Sequence, residues 1–273
     1  MKNPFKNKVA IVTGGASGIG RAICEALGQK GATIIVSDID TKGAEEVAQG
    51  IIGRGGKARG AHLDVTSEED IKKLIEQTAG EHGRLDYMFN NAGIAIHGEV
   101  RDMKKEHWDR IININLLGTL HGTIAAYAVM VEQGFGHIVN MASILGLLSI
   151  SVNCLYATTK HAIVGLSTSL RAEGAGLGVK VSVVCPGFVQ TGLYDAATVL
   201  KADHDEFFAQ IPLKRMDVTK AVREILKGVE RNKAIIVFPF SARFLWWLHR
   251  LNPNALDRPN VESLKGFRKI RRE

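Results

Sequence analysis

The feature that most restricts how this chain can fold is an alternation. Short runs rich in β-branched and other apolar residues begin at Lys8 (KVAIVT), Ala32 (ATIIVSD), Lys57 (KARGAHLD), Leu85 (LDYMFNN), Gly136 (GHIVNMAS), Val179 (VKVSVVCPG) and Ala234 (AIIVFP). The longer segments between them carry apolar residues at helical spacing, such as Ile19, Ile23, Ala26 and Leu27, or Ile71, Leu74 and Ile75. Strands that alternate with helices build βαβ units, and those units build a parallel sheet covered on both faces. The expected fold is therefore α/β: a doubly wound parallel sheet of about seven strands in a single domain over residues 1–240. A less regular stretch at about 188–213 reads as a substrate loop, and residues 241–273 as a basic, aromatic extension.

Charge and composition exclude several classes. Of the net +7, the segment from Ser241 onward supplies +5, with eight Lys/Arg against three acids, so the first 240 residues carry only +2. That is a basic tail on a near-neutral body, and no nucleic acid partner is expected. Cys24, Cys154 and Cys185 are odd in number and widely spaced, which suits buried thiols in a reducing compartment. The lysines before Val9–Val12 resemble a signal peptide, but that run is short and enters a glycine turn. No stretch reaches the roughly 18 apolar residues of a membrane span. The expected location is cytoplasmic, or peripheral on a membrane. The nine histidines show no metal-ligand spacing, so no metal is expected. No Gly-x-Ser-x-Gly elbow is present, and the glycine turn lacks a Gly-Lys-Ser/Thr ending.

After the first strand comes Thr13-Gly14-Gly15-Ala16-Ser17-Gly18-Ile19-Gly20. Its glycines follow Gly-x-x-x-Gly-x-Gly rather than Gly-x-Gly-x-x-Gly, yet the strand-to-helix context and the physics are shared. Glycines allow a tight turn and a close backbone approach, and the helix N-terminus offers N–H groups to a pyrophosphate. Eighteen residues after Gly20, Asp38 ends the second strand, where a carboxylate can accept hydrogen bonds from ribose hydroxyls. That charge would repel a 2′-phosphate, and neither Ser17 nor Ile39 supplies a cation. NAD is expected over NADP, with Lys42 leaving some NADP use open.

Leu155-Tyr156-Ala157-Thr158-Thr159-Lys160 places a phenol and an ammonium one helical turn apart. Withdrawing hydride from an alcohol requires a base at its oxygen. A free phenol, with pKa near 10, needs a neighbouring positive charge to serve at neutral pH. Lys160 stands where an alcohol dehydrogenase without metal needs it, and the Ser143 hydroxyl could hold the alkoxide or carbonyl oxygen.

Over about its first 240 residues the chain resembles the short-chain dehydrogenase/reductase family, in its shorter single-domain branch. The match comprises TGGASGIG at 13–20, Asp38, Asp64-Val65, Asn90-Asn91-Ala92-Gly93, Asn115 in NINLLG, Ser143, YATTK at 156–160, and Pro186-Gly187 followed by Thr191. The resemblance implies a Rossmann fold. It implies Tyr156 as general acid/base, Lys160 as its activator and a grip on the nicotinamide ribose, Ser143 at the substrate oxygen, and Asn115 in a proton relay. It further implies cofactor contacts from Gly14, Ser17, Gly18, Ile19, Gly20, Asp38, Asp64, Val65, Asn91, Gly93, Tyr156, Lys160, Pro186, Gly187 and Thr191.

By the same resemblance, Ile144, Leu145, Leu193 and Phe207 face a substrate pocket with an apolar lining, which suits a hydrophobic secondary alcohol or ketone. A homodimer or homotetramer is expected. In the extension, Phe240, Phe244, Trp247, Leu248 and Leu251 share one helical face, with Arg243 and Arg250 on another. Such a helix can pack on the body or a partner subunit, the favoured reading, or lie in a membrane interface. The rival to an enzyme is a non-catalytic dinucleotide-binding sensor or membrane-associated scaffold of the same fold. The complete Ser143, Tyr156, Lys160 and Asn115 set favours the enzyme.

Overall fold

Each of the seven apolar runs forms a strand in the computed structural model, which describes residues 3–210 and 215–272. In chain order the strands are β1 (Val9–Thr13), β2 (Thr33–Asp38), β3 (Lys57–His62), β4 (Tyr87–Asn90), β5 (Ile96–His97), β6 (Gly136–Met141), β7 (Val179–Pro186), β8 (Thr198–Val199) and β9 (Ile235–Phe238). The two-residue β5 and β8 pair only with each other; the rest form one parallel sheet in the order β3-β2-β1-β4-β6-β7-β9. The chain winds outward from β1 to β3 and then returns to place β4 on the other side of β1. That reversal opens a crevice beyond the carboxyl ends of β1 and β4, the place where doubly wound sheets bind ligands.

Ten α-helices flank the described sheet: α1 (Gly18–Gln29), α2 (Thr41–Ile52), α3 (Glu68–His82), α4 (Lys105–Ile111), α5 (Gly118–Gln133), α6 (Cys154–Gly174), α7 (His204–Ala209), α8 (Val218–Glu230), α9 (Phe240–Leu251) and α10 (Asp257–Lys269). Side chains of β1 alternate between the two faces as the strand period requires. Ala10 and Val12 pack with Ile23, Leu27, Val47 and Ile225 of α1, α2 and α8, while Val9 and Ile11 pack with Ile71, Ile75 and Met130 of α3 and α5. The helix starts are legible: Asp40, Ser67 and Asp217 each cap a helix by accepting a backbone N–H from its first turn.

Between α4 and α5, residues Ile112–Leu117 form a π-helical turn, so the helix runs continuously from Lys105 to Gln133. Its 29 residues include an 18-residue window of mean hydropathy 1.4, enough by length and composition for a span and contrary to expectation. The polar residues of that window are few and uncharged, so its average stays high although no unbroken apolar run exists. The α5 part packs on α3, β4 and β6.

The extension folds back over the domain. Arg268 pairs with Glu99, Arg271 with Asp102 and Arg272 with Asp203, while Phe267 is buried against Val152 and Phe207. Most of the tail's arginines are thus spent on carboxylates of the body, a pairing that net charge alone could not show. Residues 211–213 of the expected substrate loop lie outside the described residues.

Candidate active site

The crevice is a cleft of about 460 Å³, within the usual size range for small-molecule sites. Its floor is the glycine turn. Gly14 and Gly18 adopt left-handed backbone (φ +65° and +54°), and a Cβ on Gly14 would lie 2.9 Å from the Ala92 Cα. Gly20 does not line the cleft: it sits beneath the turn, where a Cβ would come within 2.0 Å of the Gly14 carbonyl oxygen. The turn is braced from β4. Thr13 Oγ1 accepts from Asn91 and Ala92 N–H (3.0 and 3.1 Å), and the Asn91 amide donates to Thr13 O and Gly14 O (3.0 and 3.2 Å). Asn91 borders the cleft, but its side chain is committed to the turn, so it shapes the floor.

One end of the cleft holds Asp38, Ile39, Leu63, Asp64, Val65, Arg110 and Ile114. The Asp38 carboxylate accepts from Ala16 N–H and Asp40 N–H, both at 3.0 Å, which fixes it beside the glycine turn. Asp64 is turned toward its own loop, where it accepts from the Thr66 N–H and hydroxyl.

The other end gathers Ser143, Tyr156 and Lys160 with Gly93, Pro186, Gly187 and Thr191. Tyr156 and Lys160 lie one turn apart on α6, and both are buried. The ammonium stands 5.4 Å from the phenol ring centroid and donates to Met141 O at 2.9 Å, which ties it to the end of β6. Burial raises the Tyr156 phenol, Tyr194 adds to the rise, and a hydrogen bond with Ser143 draws it partly back. Burial lowers Lys160 to about 8, with the Cys185 thiol opposing. Desolvation therefore pushes both groups toward their neutral forms. The expected lowering of the phenol by Lys160 is not what dominates here: the lysine's hydrogen bond goes to a backbone carbonyl, and the loss of water around the phenol outweighs its influence.

Asn115, fully buried in the π turn, does not reach the cleft wall. Its amide oxygen accepts from Ile94 N–H (2.8 Å) and its amide nitrogen donates to Ile94 O (2.9 Å). That double bond clamps the segment after β4, so that a Cβ on Gly93 would lie 3.1 Å from Asn115 Oδ1 and 3.6 Å from Lys160 Nζ. Of the four residues expected at the substrate, only Leu193 lines the cleft. Ile144 and Leu145 are turned into the apolar cluster behind it, because Ser143 starts a 3-10 turn by accepting Leu145 N–H. Phe207 is buried instead between His97, Phe208 and Phe267. The apolar wall consists of Ile94, Ala95, Val189, Leu193, Tyr194 and Ala196. Arg110 and Ile114 escaped the sequence reading, although their i, i+4 spacing just before Asn115 was a usable signal. The β5–β8 pairing that ties the loop to the segment after Gly93 left no signal, since two residues carry no period.

The sequence profile described as short chain dehydrogenase matches residues 8–199. The chain belongs to the short-chain dehydrogenase family. Similar proteins include a cyclohexanol dehydrogenase of Acinetobacter sp. (33% identical, covering 83% of this chain and 88% of that protein) and a 3-oxoacyl-acyl-carrier-protein reductase of Thermotoga maritima (32%, 81% and 89%). The oxidoreductase SadH of Mycobacterium tuberculosis aligns over 96% of this chain and 97% of its own length at 31% identity, so that likeness includes much of the extension. Among solved structures, a short-chain dehydrogenase/reductase of Burkholderia phymatum in complex with NAD superposes with TM-score 0.85 at 24% identity, over 93% of this chain and 96% of that one. A short-chain dehydrogenase of Streptomyces avermitilis gives 0.82 at 27%, over 96% and 99%.

Proposed function

We propose that this short-chain oxidoreductase interconverts an apolar secondary alcohol and its ketone, with NAD as the preferred dinucleotide. The observation that carries the reading is the burial of Tyr156, Ser143 and Lys160 together at one end of a cleft whose other end presents Asp38. A dinucleotide fits this cleft. The left-handed Gly14 and Gly18 leave open the cradle that side chains would fill, α1 begins there, and Thr191 stands 3.4 Å from where a Gly18 Cβ would be. Gly14, Ser17, Gly18 and Ile19 would hold the pyrophosphate, Asp38 the adenosine ribose, and Lys160 with the Pro186–Gly187 backbone the nicotinamide end. When bound, the nicotinamide supplies the hydride donor or acceptor.

The chain's own residues handle the proton. Tyr156 takes the hydroxyl proton of the alcohol at its phenol oxygen, or returns it to the ketone, while the Ser143 hydroxyl holds the substrate oxygen. Lys160, fixed by Met141 O, is the cation beside the phenol and in its protonated form opposes part of the burial penalty on the phenolate, which stays the larger effect. Asn115 keeps Gly93 against Lys160 by clamping Ile94. The aliphatic and aromatic wall excludes water and gives a small polar acid or sugar few partners. Support for NAD comes from Asp38 and from Lys42, which is 89% exposed and faces Glu46 along the surface of α2.

Tyr156→Phe should leave NADH binding within about twofold, since the ring stays, and lower kcat by at least about a hundredfold, the usual scale of general acid/base catalysis. Cofactor fluorescence titration and a spectrophotometric screen of cyclic and long-chain alcohols against polyols would read both. Unchanged turnover in the variant, or a preference for the polyols, would refute the assignment.

A further inference from the structure

Helix α9 is apolar on two opposite faces. Its inner side, Ala242, Leu245 and Trp246, packs into the cluster behind the cleft wall, so the helix is held in one orientation. Its outer side repeats Phe240, Phe244, Trp247 and Leu251 at helical spacing, and these are 78%, 50%, 56% and 65% exposed. The Phe244 and Trp247 rings lie 6.1 Å apart on the outside. Taking about 200 Å² for each such side chain, the stripe leaves on the order of 500 Å² of apolar surface in water, as large as the largest patch on a typical monomer. Among the described residues, every other exposed large apolar side chain stands alone on its own segment.

Charge beside the stripe points to what covers it. Arg243 and Arg250 border one edge, and Arg250 lies over the Trp246 ring at 5.4 Å. Arg243 is paired with Glu224, as Arg268, Arg271 and Arg272 are with body carboxylates. Among the described residues, Arg250 of α9 and Arg258 and Lys269 of α10 have no carboxylate within ion-pair distance, so the extension keeps unneutralised positive charge, with Arg250 on the same helix as the aromatic face. A second copy docking through this stripe by a two-fold axis would bring the same arginines together. An anionic bilayer surface instead neutralises them, takes tryptophan and phenylalanine at the headgroup boundary, and needs no shape complement.

We propose that the outer face of α9 is a peripheral membrane-binding surface for anionic phospholipid, which lays the rear wall of the substrate cleft against the bilayer. This surface stands apart from the reaction proposed above, because its binding is read without turnover. The full chain is sedimented with phosphatidylcholine vesicles and with vesicles containing phosphatidylglycerol, alongside the Phe244→Ser/Trp247→Ser and Arg250→Ala/Arg258→Ala double variants. The wild-type chain should bind the anionic vesicles, and the aromatic variant should lose at least tenfold in partitioning while keeping its melting temperature and dehydrogenase turnover in buffer. The arginine variant should bind more weakly and lose salt dependence. Absence of wild-type binding overturns the inference, as does equal binding by the aromatic variant. So does a wild-type oligomer that ignores vesicles and dissociates on loss of Phe244 and Trp247, since a second copy is then the occupant.

Discussion

Asp38→Asn tests the cofactor reading directly. A 2′-phosphate about 4 Å from the Asp38 carboxylate meets a repulsion of about 4 kcal/mol per unit charge at an effective dielectric near 20. Solvent and salt at this open end of the cleft reduce that to about 2–3 kcal/mol, or roughly 30- to 150-fold in the NAD-to-NADP ratio of kcat/KM. The asparagine keeps the shape and removes the charge, so the ratio should fall by about that factor, with part of the change coming from weaker bonds to the ribose. The same substitution has a structural cost. Asp38 accepts from both Ala16 N–H and Asp40 N–H, and an amide has one oxygen for those two donors. One half-exposed N–H then loses its acceptor, worth about 1 kcal/mol, which shifts Tm down by about 2–4 °C. Initial rates with each dinucleotide and a thermal melt measure both effects. A ratio unchanged within twofold, with the melt shifted as expected, would refute the reasoning and move the discrimination to Arg110, the cation at that end of the cleft.

Four further outcomes follow from the packing and the buried charges. Gly20→Ala should lose about 3 kcal/mol or more in chemical denaturation, because its Cβ meets the Gly14 carbonyl at 2.0 Å and backbone cannot step aside. Gly80→Ala, exposed on α3 with open space around it, should gain about 0.5–1 kcal/mol. Burial holds Lys160 near 8 against about 10.4 in the unfolded chain. The unfolded state therefore binds more protons between those values, and this group adds up to about 3 kcal/mol of stability as pH rises through that window. Lys160→Met should show a smaller rise in stability between pH 7.5 and 10 than the wild type, and equal rises would sink the argument. Phe267, 1% exposed, anchors α10 on Val152 and Phe207. Truncating it to alanine should cost about 3–4 kcal/mol of local docking and speed hydrogen exchange in α10 by at least about a hundredfold, whereas unchanged exchange would mean that the arginine pairs alone hold the helix.

The sequence by itself determined the strand positions, the glycine turn and the pairing of Tyr156 with Lys160 on one helical face, because each rests on local periodicity or on neighbours within one element. Period-two burial in β1 and the i, i+4 spacing of Tyr156 and Lys160 need no knowledge of the rest of the chain. Only the tertiary structure decided what those residues face. It turned Ile144, Leu145 and Phe207 away from the cleft and brought in Arg110 and Ile114. It set Asn115 to clamp Ile94 through a π turn that no periodicity announces. It also tied Arg268, Arg271 and Arg272 of the basic tail into ion pairs with Glu99, Asp102 and Asp203, which lie 169 and 69 residues away in sequence. The physical reason is common to all of these. Burial, hydrogen-bond partners and charge neutralisation depend on groups from distant segments, so the environment of a side chain is fixed only when the sheet order and the returning loops place those groups around it.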